Sequence, residues 1–272
     1  MGSLSDTVEK EFLDHVLGVG SWTTPANVFL ALFVGDPLDT GAGGAEVGGG
    51  VGYVRKDIEF EVGGATTDRE INNDNLVQYD AATGSWGDVD YWALYDASTA
   101  GVMLAHGALA SLKSIGTGNT PSVAVGEVNI TVSTAGCSNY LANSMLDHVV
   151  NSVSFTPPSI HVALCDTAIN DANDGTTISE IGMTGYLREA KTAGATDWVA
   201  AVGESPALAT NNNTIDFGEL TSTAETVEAT CLTNNATTAL GEVLYYDNSI
   251  SQEVGDGDTV QFAAGAFDIT LD

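Results

Sequence analysis

The stretch Asn170-Asp171-Ala172-Asn173-Asp174-Gly175 carries the residue types of an oxygen-ligand cation site. Calcium is held by carboxylates, carbonyls and water, and a helix–loop–helix calcium site takes them from fixed places along one loop. With Gly175 at the sixth place, the third falls on Ala172 and the twelfth on Ile181, and Glu180 comes one residue early. The template fails. Asp166, Asp171, Asp174 and Glu180 remain as candidates for a looser cation site, against the plainer reading of a solvated acidic loop.

Other chemistry is harder to assemble. His15 and His148 each follow an aspartate, Asp14 and Asp147, within a helical pattern. Adjacent residues on a helix point in different directions, so neither pair forms an acid–base couple. Helix-end capping or a packing contact accounts for both histidines. His106 and His161 align with Tyr246 and Val28, so they define no shared site. The chain has no Gly-x-Ser-x-Gly, no HExxH and no cysteine paired with a motif histidine, so no nucleophile arrangement is present. The Gly-rich run from Gly41 to Gly52 lacks the Gly-Lys-Ser/Thr of a phosphate loop and reads as a flexible surface excursion. Trp22, Trp86, Trp92 and Tyr53 fit core and interface positions better than a sugar-stacking platform. Cys137, Cys165 and Cys231 have neither disulfide nor zinc spacing and read as small core residues. These residues imply no catalytic group and no cofactor.

The elements that would position such residues occur twice. Leu13-Asp14-His15-Val16 is repeated as Leu146-Asp147-His148-Val149, 133 residues later. Thr23-Thr24-Pro25 answers Thr156-Pro157-Pro158, and Gly52-Tyr53-Val54-Arg55 answers Gly185-Tyr186-Leu187-Arg188. So long a period is a duplicated domain and not a solenoid. The expected units are 5–133 and 138–272, joined by the short linker Thr134-Ala135-Gly136-Cys137.

Each unit opens with an amphipathic helix. Val8, Phe12, Leu13, Val16 and Leu17 form one stripe after the caps Ser5 and Asp6, and Leu141, Met145, Leu146 and Val149 form the other. Strands follow. Val28 to Phe33 is a continuous apolar run suited to a central strand, while Ile58, Phe60 and Val62 alternate with charged residues. Further strands are expected near 89–95, 103–110, 123–125 and 128–132. In the second unit they fall near 160–165, 214–217, 227–232, 243–246, 260–263 and 267–271. The fold class is mainly β: two tandem β-sandwich-like domains, each with one N-terminal α-helix covering an edge or end.

Composition bounds the function. The chain has 37 acidic and 7 basic residues, a net charge of −30. It repels phosphate backbones, which excludes nucleic acid as a partner. Acids spread over the surface, with Lys10, Lys56, Lys113 and Lys191 the only lysines, point to a halophilic source. No signal-peptide pattern and no long apolar run is present, so synthesis in the cytoplasm without a membrane span is expected.

The second copy carries a fuller pattern: Ser138-Asn139-Tyr140-Leu141, Thr156-Pro157-Pro158, Gly185-Tyr186-Leu187-Arg188, and Phe262-Ala263-Ala264-Gly265 running to Asp272. This pattern resembles a family of small virion proteins of tailed viruses, termed tail-fibre-like or head-fibre-like. The first copy departs from it at the helix start and at Pro121 to Val125. The resemblance implies a structural role in the particle. With the acidic surface, it implies a virus of halophilic archaea. The resemblance is common to head and tail proteins, and the expected role is a capsid decoration or turret protein that contacts the host surface. A tail fibre or baseplate component, and a carbohydrate-binding module or enzyme acting on the host envelope, are the alternatives. The implied partners are other virion proteins, further copies in a pentamer or trimer, and a host-surface glycan or S-layer.

Overall fold

The computed structural model describes residues 2–61, 69–203 and 206–271. The first copy contains β1 (Gly2–Leu4), α1 (Asp6–Val16), β2 (Phe29–Val34), β3 (Ala45–Glu46), β4 (Lys56–Asp57), β5 (Glu70–Asn72), β6 (Val77–Gln78), β7 (Gly87–Tyr95), β8 (Met103–Ile115), β9 (Ser122–Val123) and β10 (Asn129–Thr131). The second contains α2 (Asn139–Val150), β11 (Ile160–Cys165), β12 (Glu189–Lys191), β13 (Trp198–Val202), β14 (Ala207–Asn211), β15 (Ile215–Leu220), β16 (Glu225–Val227), β17 (Ala229–Thr233), β18 (Val243–Asp247), β19 (Gln252–Val254), β20 (Asp258–Phe262) and β21 (Asp268–Leu271). The chain is mainly β with two tandem domains, as the repeat implies.

Both helices start in the same way. Ser5 Oγ accepts from the Val8 amide at 3.4 Å and Ser138 Oγ from the Leu141 amide at 3.2 Å, each satisfying an otherwise orphaned helix donor. The serines are also tied to the sheets, donating to the carbonyls of Met103 and Val243. Gly18, at φ 67°, ends the first helix in a conformation that favours glycine.

Sheet topology repeats in part. In the first copy a continuous sheet runs β3-β2-β7-β8-β1-β10-β5, with β4 also paired to β2. Strand β2 has neighbours on both sides and is buried on both faces, which explains its unbroken apolar run. In the second copy β12-β11-β17-β18 is one sheet and β13-β14-β21 another. The long β7–β8 pair of the first copy, kinked by bulges, corresponds to the shorter pairs β17–β18 and β16–β19.

The break in the second sheet has a local cause. In the first copy Trp92 is almost fully buried beside Gly107 and Gly2, whose missing Cβ atoms leave room for its ring. Strand β1 fits there, pairing with β8 on one side and, through Gly2 and Ile130, with β10 on the other. Register places Thr230 where the first copy has Trp92, and Asp247 where it has Gly107. The linker still lies along β18, with Tyr246 N donating to Gly136 O at 2.7 Å, but β21 does not pair with it. A cleft of about 550 Å³ opens there, lined by Gly136, Tyr245, Tyr246, Asp247, Phe267 and Ile269, among others.

The helices do not sit where an edge-covering role would put them. Helix α1 packs on β8 of its own copy and on β13, β14 and β21 of the other. Helix α2 packs on β18 of its own copy and on β5 of the first. One cluster of buried apolar side chains therefore runs through both copies, including Phe12, Leu13 and Leu17 of the first helix segment and Leu141, Met145 and Leu146 of the second. The apolar stripes of both helices are therefore covered within the chain.

Other expectations need correction. The strand expected over Ile58, Phe60 and Val62 reduces to an isolated bridge between Phe60 and Asn73, and Val62 lies outside the described residues. Strands β1, β3, β4, β5, β6, β12, β13, β14 and β19 fall outside the expected strand positions.

Candidate functional site

The repeated Gly-Tyr-x-Arg motif is a structural anchor. Gly52 and Gly185 have φ of 78° and 94°, so the turn before each tyrosine favours glycine. Tyr53 Oη accepts from the Leu32 amide at 3.0 Å and donates to Glu46 at 3.0 Å. Tyr186 Oη accepts from the Leu164 amide at 3.0 Å and donates to Glu180 at 2.7 Å. Burial raises both phenols well above their ordinary range, so each keeps the proton it donates. Arg55 grips Glu46 through Nε and Nη2, both at 2.8 Å, and Arg188 grips Glu180 through Nη2 at 2.8 Å and Nε at 3.1 Å. The remaining guanidinium nitrogen reaches a hairpin loop in each copy: Ala97 O and Ala100 O in the first, Asn235 O and Leu240 O in the second. One arginine thus fastens two loops to the strand between them. The Gly-rich excursion from Gly41 to Gly52 holds β3 and carries the carboxylate that anchors Arg55.

A second pair of acids is equally matched. The backbone carbonyls of Asp39 and Asp171 accept from the first helical amides, Asp6 N at 3.3 Å and Asn139 N at 2.7 Å. Their side chains bind the corresponding strand residues: Asp39 binds His106 Nε2 at 2.7 Å, and Asp171 accepts from the Tyr246 hydroxyl. Arg69 of the first copy also pairs with Asp171, and donates to the linker carbonyl of Thr134 at 2.6 Å.

These contacts place the candidate cation ligands individually. Glu180 is the partner of Arg188 and Tyr186, and Asp171 that of Arg69 and Tyr246. Asp174 closes its own turn, accepting from Thr176 N at 2.8 Å, and hydrogen bonding, led by the Thr176 hydroxyl, lowers its pKa. Asp166 N donates to Ser179 O at 3.0 Å. Among the described residues no group of three or more His, Cys, Asp or Glu is arranged to hold a metal ion. Glu180, Asp171 and Asp174 are thus tied to separate partners, while Asp166 Oδ1 is buried without a hydrogen-bond partner.

The histidines meet between the copies. The rings of His15 and His148 stack with centroids 5.0 Å apart. His15 Nδ1 accepts from Trp22 N at 3.2 Å and His148 Nδ1 from Phe155 N at 3.0 Å, which assigns the proton in each neutral ring to Nε2. His15 Nε2 then donates across the interface to Phe155 O at 2.8 Å. The packing role expected of these residues is what they perform. Burial, and then the neighbouring His15, lower the His148 pKa from the ordinary 6.5 to about 4. His161, aligned by sequence with Val28, takes the strand position of Phe29 instead. Trp86, Trp92 and Tyr53 are buried, and Trp22 packs against His148 at 5.0 Å. All three cysteines are free and buried.

The geometry defines a duplicated β scaffold whose repeated polar residues fasten loops to strands and one copy to the other. The chain belongs to the family described as podophage GP4 fiber I protein gp80, whose model matches residues 3–131 and again 136–270. It is therefore a viral structural fibre-type protein carrying two copies of the family unit. No curated protein matches the chain.

Arg188→Ala should destabilise the fold by about 3–5 kcal/mol, because it strands a buried carboxylate. The Arg188 side chain is fully buried and that of Glu180 is 7% exposed. Arg55→Ala should cost less, since Glu46 is 29% exposed and water can replace the guanidinium. Denaturant unfolding of the two variants measures the difference.

His148 generates a pH prediction. Its folded pKa lies below the unfolded value, so the unfolded state binds more protons between about 6.5 and about 4. The stability it contributes is present above about 6.5 and is lost as pH falls towards about 4. His148→Gln should flatten the fall of the melting temperature across that window, measured in parallel with the parent chain.

Proposed function

We propose that this chain is a non-enzymatic virion surface protein of a tailed virus, displayed on the capsid as a decoration or turret. The observation that carries this reading is the use made of the repeated residues. The Ser, His, Glu, Tyr and Arg shared by the two copies each bind a partner inside the fold, and family membership covers both copies. A tail fibre or baseplate component is the second reading, favoured by the family's description as a fibre protein. We take the two units to be 5–133 and 138–272.

Assembly in the particle would follow its rotational symmetry, giving a pentamer on a five-fold vertex or a trimer in a fibre. Since both helices are covered within the chain, such contacts would use other surfaces. The exposed Leu187, Leu240 and Val54 at and beside the two arginine anchors are apolar groups available for this. A glycan or S-layer on the host surface would be the external target. The net charge of −30 supports a halophilic host, where salt screens carboxylate repulsion.

A cryo-EM map of the particle tests the assignment. Density for the chain on the capsid is expected; density confined to the tail would favour the fibre reading, and absence from the particle would overturn both. A thermal-melt series tests the salt reading. At 0.1 M salt the Debye length reaches about 10 Å, so repulsion between surface carboxylates adds up. The unfolding midpoint should fall as salt is reduced from molar levels, with partial rescue by divalent cations. A midpoint that stays flat or rises would overturn it.

A further inference from the structure

The contact between the copies has a property that tandem connection does not impose. Equivalent histidines touch each other, and the aromatic and helix-end contacts beside them recur in reciprocal pairs. His15 stacks on His148, its own counterpart, at 5.0 Å. Trp22 of the first copy packs on His148 at 5.0 Å, and Phe155, the counterpart of Trp22, packs on His15 at 6.4 Å. The end of α1 meets the residue six places after Arg188, with Gly194 N donating to Leu17 O at 2.8 Å. The end of α2 meets the residue six places after Arg55, with Asn151 Nδ2 donating to Glu61 O at 3.0 Å. Helix α1 packs on β14, and α2 packs on β5, the matching strand of the first copy.

Contacts in which i meets j and j meets i, with self-contact on the axis, are the signature of an isologous two-fold interface. Two domains joined end to end could use any two surfaces. Here they use the same one.

We propose that this face is a self-complementary pairing surface whose partner is a second copy of the same module, so that the chain is a dimer covalently joined through residues 134–137. It consists of the C-terminal half of the helix, its histidine, the aromatic residue seven places later and the inner face of β5 or β14. The linker supplies proximity, raising the effective concentration of one copy near the other. It does not supply the fit. The proposal holds for either location in the particle.

The test uses the full chain with a protease recognition sequence inserted after the exposed Ser133, purified in molar salt and cleaved while folded. The cut halves are expected to remain together in native mass spectrometry, at the mass of the uncut inserted chain and not at that of either half. After unfolding and refolding of the cut mixture, pairs of two first copies or two second copies should appear beside the mixed pair, distinguished by mass. Halves that separate as folded monomers would overturn the proposal. So would a refolded mixture holding mixed pairs alone, because that pattern needs two different surfaces. If the insertion prevents folding, producing the two halves together as separate chains supplies the same pieces and the same readout.

Discussion

Burial of the two helices constrains the rest of the molecule. Each helix places an apolar stripe between two sheets, its own and its neighbour's, so neither copy completes its core alone. Hydrophobic burial contributes about 25 cal/mol per Å² of apolar surface removed from water. The stripe from Val8 to Leu17 is fully buried at all five apolar positions, which makes this contact a large term in the stability of both copies. The short linker, the shared core and the stacked histidines are all consequences of holding two helices in one seam.

Electrostatics works under a different constraint, the scarcity of cations. The chain has seven Lys and Arg residues, and every one has an acidic partner within 4.0 Å. The three arginines hold the least replaceable positions. Arg55 and Arg188 fasten loops, and Arg69 fastens one copy to a loop of the other and to the linker. Lysine presents a compact point charge and could not reproduce the planar fork that spans a carboxylate and two carbonyls. The acidic excess is therefore a property of the surface, while internal charge is matched locally.

Much of this was legible in the residues. Helix stripes, caps and the apolar run of β2 follow local rules, and the structure places them within a residue or two of the expected bounds. The Gly-Tyr-x-Arg repeat was visible, but its partner was not. Glu46 and Glu180 lie nine and eight residues before the arginine, in loops of unlike composition, so the alignment that exposed the motif hid its carboxylate. Strand β1 has only three residues and is specified by the space beside Trp92, a long-range fact. The exchange of helices between copies was invisible for the same reason. A stripe declares that it must be covered, and does not say by which sheet.

The closed sheet of the first copy and the open cleft of the second differ chiefly through Trp92 and Gly107 against Thr230 and Asp247. That difference sets one end of the pseudo-two-fold arrangement apart from the other. With it, the molecule has polarity. A ring or stack of such chains inherits a direction from a few side chains in one row of a sheet, and its two faces meet their surroundings as different objects.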